Sequence, residues 1–578
     1  MADSPQYFVQ LRKLLTDANE ENLIALLNLF EQWPEEDEKQ LAMEYAKQHL
    51  EGWPDHLRIL NPFRHSIEAL PKFLSEYSKQ PTRIHRRLML KNKYLDDESF
   101  GPIARLQALE VFTCLDFSRN RIGFHGIRTL ADSSALQNTI ELNISTNELG
   151  PTGVQELLNS PNLIQLKKLH LGNNDLNVRE RAEGAEAIAS SKLPPKLEEL
   201  DLYNSQFGDL SVEVLANAPN MAQLKALSLG SNGLYGASLE HIANSPHFQQ
   251  LKKLHINFNS VRDRGMVALA EAEKMQLEEL FALKNQIGAK GIQAYCHSPN
   301  ACQLKKLLLD DNRLGTEGAI AIAESQTMNQ LEHLSLSRNQ VQDKGVIALM
   351  KSPNSAKLKH LELTYNDLDT ETGHAIGSSP YLENLETLTI YGNNLGNKAL
   401  KSIASSKSLG SLRLLYLGNN CIGAKGAVAL AQAEHLHSLR HLSLSECPLG
   451  PEGAKAFASQ KARLRLESLK LRNCALDDTV AYSFAEGEGL DGLLSLDLSR
   501  NTLSLEAIET ILFAPQFKQL KSLNLSWIRH GNDLADLLLS STHLINLREL
   551  TLVSTGIRSQ VIEELRQAPQ FIRTFIYN

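Results

Sequence analysis

Aliphatic residues recur along this chain in the pattern L-x-x-L-x-L-x-x-N-x-L. Clear copies are LKKLLLDDNRL at 304–314, LEHLSLSRNQV at 331–341 and LETLTIYGNNL at 385–395. The L-x-L segment alternates apolar and polar residues, which predicts a strand with one buried face. Small and apolar residues at helical spacing, such as GTEGAIAIA at 315–323, come next. The pattern therefore predicts strands that alternate with helices.

The position that asparagine holds in this pattern recurs eighteen times, and we call these the ladder positions. Fifteen of the seventeen steps between them are 27 residues; a step of 31 precedes Ser205, and a step of 26 precedes Asn285. We expect each asparagine amide to turn inward and satisfy backbone groups of its loop. Such a period predicts a solenoid of stacked units. The ladder residues are Lys93, Asn120, Asn147, Asn174, Ser205, Asn232, Asn259, Asn285, Asn312, Asn339, Asn366, Asn393, Asn420, Cys447, Cys474, Asn501, Ile528 and Thr555.

We therefore expect an α/β fold over residues 81–578, a horseshoe-shaped solenoid of about 18 units of 27 residues. Its parallel sheet is expected on the concave face and its helices on the convex face. A charged insertion at 177–181, in the 31-residue step, predicts a longer loop. Residues 1–80 have helical spacing of apolar residues and predict a small α-helical cap that shields the first unit. The alternative is a cap that also binds something.

Composition excludes several classes of function. Residues 1–80 carry 14 acidic and 8 basic side chains, a net charge of −6, so the total of −8 leaves −2 for residues 81–578. Such a chain is poorly matched to nucleic acid or anionic lipid. No apolar run approaches the ~20 residues that cross a bilayer, and MADSPQYFVQ does not resemble a signal peptide. With six cysteines and no C-x-x-C pair, we expect a cytoplasmic protein that neither inserts into membranes nor binds nucleic acid.

The units resemble a known repeat class. The pattern N-x-L-G-x-x-G-A-x-A-L-A, best seen in NCIGAKGAVALA at 420–431, resembles the ribonuclease-inhibitor-like leucine-rich repeats, and this resemblance covers about residues 83–578. The joints S-P-x-x-x-x-L-K-x-L, at Ser160-Pro161 and Ser298-Pro299, look like those of bacterial leucine-rich-repeat proteins. Because a solenoid provides surface rather than chemistry, we expect a non-enzymatic scaffold for protein–protein interaction; a purely structural spacer is an alternative that would not need an apolar patch. One version of the scaffold is a bacterial effector that acts in the host cytosol.

Motifs for chemistry are missing from the sequence. It has no G-x-x-x-x-G-K-[ST], H-E-x-x-H or G-x-S-x-G, so we predict no catalytic residue, metal or cofactor. Cys447 and Cys474 hold adjacent ladder positions, where they are structural or are oxidised together. His333, His360 and Glu362 point outward from neighbouring strands, as solvated surface or as a weak metal site. The alternative function is that of a GTPase-activating protein, because the Ran GTPase activators resemble this repeat class.

Outward positions of the strands are mostly polar, and the apolar exceptions are the candidate binding residues. Apolar patches ringed by polar groups and exposed tyrosines are typical of protein interfaces. We expect these side chains to bind another protein on the concave face: Phe258, Phe281, Leu283, Leu308, Tyr365, Tyr391 and Tyr416.

The apolar residues near Phe281 and the three tyrosines each have an alternative explanation. The 26-residue unit has Ala282 where a core leucine is expected, and a shifted strand would turn Phe281 and Leu283 inward. The tyrosines are alternatively ordinary surface residues. Trp527 is a separate aromatic residue, and the oligomeric state is not predicted.

Overall fold

A computed structural model describes residues 4–16, 18, 20–50, 53, 59–60, 66–79, 85–177, 182–459, 461–541, 543–568, 571 and 575–577. The loop predicted at 177–181 falls outside them except for residue 177, and so does the boundary predicted between residues 80 and 81. The chain divides into two compact units. The first unit is Met1–Val261 with Ala272–Gln276, and the second is Arg262–Glu271 with Leu277–Asn578.

Strands of the first unit pair in parallel and in chain order. They are β1 (Ile59–Leu60), β2 (Arg87–Met89), β3 (Cys114–Asp116), β4 (Glu141–Asn143), β5 (Lys168–His170), β6 (Glu199–Asp201), β7 (Ala226–Ser228) and β8 (Lys253–His255).

Helices of the first unit begin with three that precede β1. They pack around Trp33, whose ring lies 5.0 Å from Phe8 and 6.0 Å from Phe30. From β2 onward, helices alternate with the strands. The helices are α1 (Ser4–Leu15), α2 (Glu20–Glu31), α3 (Glu36–Leu50), α4 (Leu70–Lys79), α5 (Asp97–Ala104), α6 (Phe124–Ala131), α7 (Gly150–Leu158), α8 (Glu183–Ser190), α9 (Gly208–Ala216) and α10 (Gly236–Asn244).

Strands of the second unit also pair in parallel and in chain order. They are β9 (Glu279–Phe281), β10 (Lys306–Leu308), β11 (His333–Ser335), β12 (His360–Glu362), β13 (Thr387–Thr389), β14 (Leu414–Tyr416), β15 (His441–Ser443), β16 (Ser468–Lys470), β17 (Ser495–Asp497), β18 (Ser522–Asn524), β19 (Glu549–Thr551) and β20 (Phe575–Tyr577).

A helix precedes or follows each of these strands, as the pattern predicts. The helices of the second unit are α11 (Arg262–Glu271), α12 (Ala289–His297), α13 (Gly315–Glu324), α14 (Gln342–Lys351), α15 (Thr370–Ser378), α16 (Gly396–Ala404), α17 (Ala424–Ala431), α18 (Gly450–Ala458), α19 (Thr479–Glu486), α20 (Leu505–Leu512), α21 (Asn532–Ser540) and α22 (Ser559–Gln567). The predicted α/β solenoid with parallel strands is confirmed.

Hydrogen bonds between neighbouring repeats hold the helices in place. The S-P joints place a serine hydroxyl on the last turn of the preceding helix: Ser160 Oγ donates to Ala131 O at 2.5 Å, and Ser298 Oγ donates to Ala270 O at 2.6 Å. Because these carbonyls have no partner within their own helix, the serines satisfy groups that stacking would leave unpaired.

An alternating row of charges lies just before the strands of the second unit. Its members occupy equivalent positions in successive repeats, and Lys305 pairs with Glu278 at 2.9 Å and Lys359 with Glu332 at 2.7 Å. The Lys359 ammonium lowers the pKa of Glu332, and Glu332 raises the pKa of Lys359. We call this the charge row: Glu278, Lys305, Glu332, Lys359, Glu386 and Arg413.

Candidate functional site

The exposed surface of the second unit's sheet is the candidate site. The middle residue of each strand from β9 to β19 is a buried leucine, whereas most first and third residues are half-buried. We call this surface the sheet face. It consists of these outer strand residues and of the side chains between each strand and its ladder position. Alternation along a strand puts them opposite the core.

Phe281, Leu283 and Leu308 form the apolar part of the sheet face. Ala282 is fully buried, so the 26-residue unit keeps its register and turns Phe281 and Leu283 outward. The alternative in which a shifted strand turns them inward is wrong. Leu308 pairs in register with Phe281, and the Lys306 ammonium lies 4.9 Å from the centre of the Phe281 ring.

Polar side chains come next on the sheet face. His333 Nε2 lies 3.0 Å from Glu362 Oε1, and the rings of His333 and His360 are 5.1 Å apart. The hydrogen bond with His333 lowers the pKa of Glu362, while burial and the neighbouring His333 lower the pKa of His360. Burial raises the pKa of Asp310, which accepts a hydrogen bond from Ser335. Within the described ranges, no three His, Cys, Asp or Glu side chains are arranged to hold a metal ion.

Tyr365 and Tyr391 form an aromatic pair beyond this polar group. Their rings meet edge to face, 5.6 Å apart at 77°. The Tyr391 hydroxyl donates a hydrogen bond of 2.5 Å to Glu446, and burial together with this carboxylate raises the pKa of Tyr391. The Arg338 guanidinium lies 4.2 Å from the centre of the Tyr365 ring, within the range of a cation–π contact. Both rings are therefore held in place before any partner binds.

Glycines of the next repeat provide the space for these rings. A Cβ atom on Gly392 would lie 2.3 Å from Tyr365, and one on Gly418 would lie 2.8 Å from Tyr391. In both cases the glycine is 27 residues after the tyrosine, at the equivalent position of the next repeat. A pair of tyrosine and glycine at that spacing is the sequence signal for this packing, which the repeat pattern alone did not reveal.

The residue before each of the eighteen ladder positions has a left-handed backbone, and we call these residues the left-handed row. Left-handed φ costs a residue other than glycine about 1 kcal/mol, and asparagine or glycine tolerates it best. Three large aromatic residues nevertheless occupy this row: Phe258 (φ 59°), Tyr365 (φ 52°) and Trp527 (φ 65°). They are 48%, 38% and 39% exposed, so burial does not compensate for the strain.

The predicted residues thus fall into separate groups. Tyr416 lies on β14 with the Lys470 ammonium 5.8 Å from its ring centre, and Phe258 belongs to the first unit. Trp527 was not among the predicted binding residues. The Arg500 guanidinium lies 4.3 Å from the centre of its ring. Position in the left-handed row would have selected Trp527, because it shares that position with Phe258 and Tyr365.

Cys447 and Cys474 are free thiols and not a disulfide. Cys447 Sγ lies 3.5 Å from Leu417 O, and Cys474 Sγ lies 3.2 Å from Leu444 O. Burial raises the pKa of both thiols, that of Cys474 to about 12. Because the thiolate is the reactive form, these cysteines are packing residues of the ladder.

Comparisons with known proteins identify the repeats. A family model described as Leucine Rich repeat matches residues 249–270, 301–323, 328–350, 354–377, 411–431 and 435–458. A search of curated proteins gave no match.

Two solved structures are similar to this chain. An internalin (inlF) from Listeria monocytogenes str. 4b F2365 has 22% sequence identity and a TM-score of 0.40; the match covers 64% of this chain and 93% of the internalin chain. TLR13 in its complex with ssRNA13 has 17% identity and a TM-score of 0.44, and the match covers 81% of this chain and 65% of the TLR13 chain. In the part of the chain that the structure describes, no helix combines the length and the apolar character needed to cross a membrane.

Proposed function

This chain contains leucine-rich repeats, and from that premise we propose that it is a non-enzymatic scaffold that binds another protein through the sheet face of its second unit. The observation that carries the proposal is the Tyr365–Tyr391 pair. Tyrosine is enriched where interface energy concentrates, because it combines a large apolar ring with a polar hydroxyl.

The tyrosine pair has little freedom to lose on binding. Gly392 and Gly418 provide the space for the two rings, Arg338 covers Tyr365, and Glu446 accepts the hydrogen bond of Tyr391. Fixing a flexible side chain at an interface costs about 0.5–1.5 kcal/mol, and a side chain that is already fixed avoids most of this cost.

The apolar and polar parts of the sheet face extend the proposed site. Phe281 and Leu308 offer neighbouring apolar contacts, and Glu362 and His333 lie between them and the tyrosines as hydrogen-bonding groups. A partner that covers all three parts meets apolar, polar and aromatic groups in a fixed order. We propose that this order determines which partner is bound.

The test is affinity capture with the intact protein and a Tyr365→Ala variant. Tyr482→Ala is the matched control, because Tyr482 is also exposed but lies on α19, away from the sheet face. We expect Tyr365→Ala to lose a protein that Tyr482→Ala retains, with binding at least about tenfold weaker, as for a hot-spot tyrosine. Circular dichroism shows whether each variant is folded.

Parallel captures from bacterial and host-cell lysates test whether the protein is a bacterial effector that acts in a host cell. A partner found only in the host lysate supports an effector, and one found only in the bacterial lysate contradicts it. Equal capture by Tyr365→Ala and the intact protein would place the site elsewhere. If a captured GTPase hydrolysed GTP faster with this protein, the non-enzymatic proposal would be wrong.

A further inference from the structure

Four basic side chains occupy successive repeats near the end of the second unit, and two of them, Arg500 and Arg529, lie against the ring of Trp527. We call Lys470, Arg472, Arg500 and Arg529 the basic cluster. Lys470 ends β16 and Arg472 follows it, Arg500 follows β17, and Arg529 lies two residues after Trp527. Among the described residues, none of the four forms an ion pair.

Several other basic residues of the two units' sheets are paired with carboxylates, although Lys306 and Arg338 lie over aromatic rings instead. In the first unit, Arg87 lies 3.1 Å from Glu141 and Lys168 lies 3.0 Å from Glu199. In the second unit, the charge row pairs in the same way. The basic cluster is therefore a local excess of positive charge in a chain whose net charge is −8.

One carboxylate lies within the basic cluster. Asp497 is paired in register with Lys470, but its Oδ1 accepts the backbone N–H of Ser499 at 2.9 Å. With Asp497 and Glu446 as acidic neighbours, the four basic side chains still leave positive charge in excess. An anion that approaches this surface is attracted by that excess.

Two buried polar atoms of this region have no hydrogen-bond partner among the described residues, Arg472 Nε and Ser499 Oγ. Ser499 is only 1% exposed. The two side chains belong to neighbouring repeats, and the backbone N–H of Asn473 donates to Ser499 O at 2.9 Å. A buried donor of a charged group without an acceptor is costly, which makes the half-buried Arg472 side chain a candidate to pair with a carboxylate.

Trp527 adds an aromatic anchor to the basic cluster. Arg500 lies 4.3 Å and Arg529 lies 6.0 Å from the ring centre, and the side chain is 39% exposed on the left-handed row. Tryptophan and arginine are the side chains that contribute most to binding at protein interfaces. An apolar side chain can pack on the ring while its acidic neighbours reach the arginines.

We propose that the basic cluster binds an acidic segment of the partner protein, with carboxylates on Arg472 and Arg500 and an apolar side chain on Trp527. This inference rests on the proposed function and specifies the chemistry of the partner. A single-stranded nucleic acid fits less well, because such sites stack successive bases on several aromatic rings. Here Asn473 and Ser554, the adjacent members of the left-handed row beyond Arg500 and Trp527, are not aromatic.

The test measures binding of a fluorescein-labelled oligo-glutamate peptide by anisotropy, with oligo-lysine and oligothymidylate of equal length as comparisons. We expect saturable binding of oligo-glutamate that weakens with salt, and about tenfold weaker binding by Arg472→Gln/Arg500→Gln. The control Lys398→Gln/Lys425→Gln removes the same charge from exposed positions on α16 and α17 and should bind as the intact protein does. Arg529→Gln provides a second variant if the double variant does not fold.

Three outcomes would overturn the inference: no oligo-glutamate binding at low salt, equal weakening by both double variants, or tighter binding of oligothymidylate than of oligo-glutamate. The last would indicate a nucleic-acid site. Tyr365→Ala should leave peptide binding unchanged, because Tyr365 lies six repeats before Trp527. The peptide-binding experiment therefore tests the basic cluster, whereas affinity capture with Tyr365→Ala tests the proposed function.

Discussion

Asn312 shows what a single ladder residue does. Its Nδ2 donates to Ala282 O at 2.9 Å and Leu309 O at 2.8 Å, while its Oδ1 accepts the N–H groups of Asn285 at 2.9 Å and Ile287 at 3.0 Å. One amide thus satisfies backbone groups of two adjacent repeats. The same geometry keeps the preceding residue in its left-handed conformation, whichever side chain it carries.

Replacing Asn312 by alanine should lower the free energy of unfolding by about 2–4 kcal/mol, because several buried backbone groups lose their partners. Urea unfolding followed by circular dichroism measures this loss. Cys474→Ala is the matched control at another ladder position, where the thiol makes only weak contacts with carbonyl oxygens such as that of Leu444. Equal losses in the two variants would show that the amide is not what stabilises the ladder.

At the residue scale, the sequence predicted features that recur in every repeat. It did not predict contacts between particular side chains of different repeats. The inward asparagines follow from the period, because every repeat applies the same alternation. The outward direction of Phe281 stayed open, because its repeat has the 26-residue step. The support of Tyr365 by Gly392 depends on a pair of residues in two repeats, and the contact of Tyr391 with Glu446 spans 55 residues. Such contacts depend on side-chain length and direction, which a periodic pattern does not contain.

At the scale of elements, each strand is short, and helix ends are capped by groups of the adjacent repeat. Asn397 of α16 accepts the N–H groups of Gly423 and Gly426, each at 2.9 Å, and so caps α17 from outside. The S-P joints do the same for helix ends. A capping residue in the preceding repeat is not part of the usual sequence signal for a helix start, so the helices were predicted without their caps.

Near α4 and β2, a histidine should make stability depend on pH. Burial lowers the pKa of His85 to about 4, and its Nδ1 lies 2.7 Å from the Tyr77 hydroxyl. Since the unfolded chain keeps a value near 6.5, the folded protein binds fewer protons between the two values. The contribution of neutral His85 to the free energy of unfolding is fully present above pH 6.5. It is lost as the pH falls toward 4, by at most about 3 kcal/mol.

Unfolding free energies from urea titrations at pH 7.5, 5.5 and 4 measure this dependence. His85→Gln, whose amide can still accept the Tyr77 hydrogen bond but does not titrate, should show a smaller loss across the same range. An unchanged pH dependence in the variant would assign the effect to other groups.

At the scale of the whole molecule, the repeats form two compact units. The division falls within the 26-residue step from Asn259 to Asn285, the one step shorter than 27. The sequence identified that step but did not predict a division there, because the period stays nearly intact across it. A solenoid is stabilised by contacts between neighbouring repeats, so its parts can unfold separately.

Tryptophan fluorescence should therefore report unfolding differently from circular dichroism. Trp33 and Trp53 lie in the first unit and Trp527 in the second. In Trp33→Phe/Trp53→Phe, the remaining signal follows only the repeats around Trp527. We expect its urea midpoint to differ from that of total helix content in the same variant. Coincident transitions would show instead that the array unfolds as one cooperative body.

The charge row restricts how this array can change in length. Acidic and basic residues alternate from Glu278 to Arg413, one per repeat. Loss of a single 27-residue unit from within this stretch would join two repeats of like charge, whereas loss of two units would restore the alternation. Like charges directly opposite each other in a sheet are destabilising. We therefore expect this stretch to tolerate the loss of 54 residues, two periods of 27, better than the loss of 27.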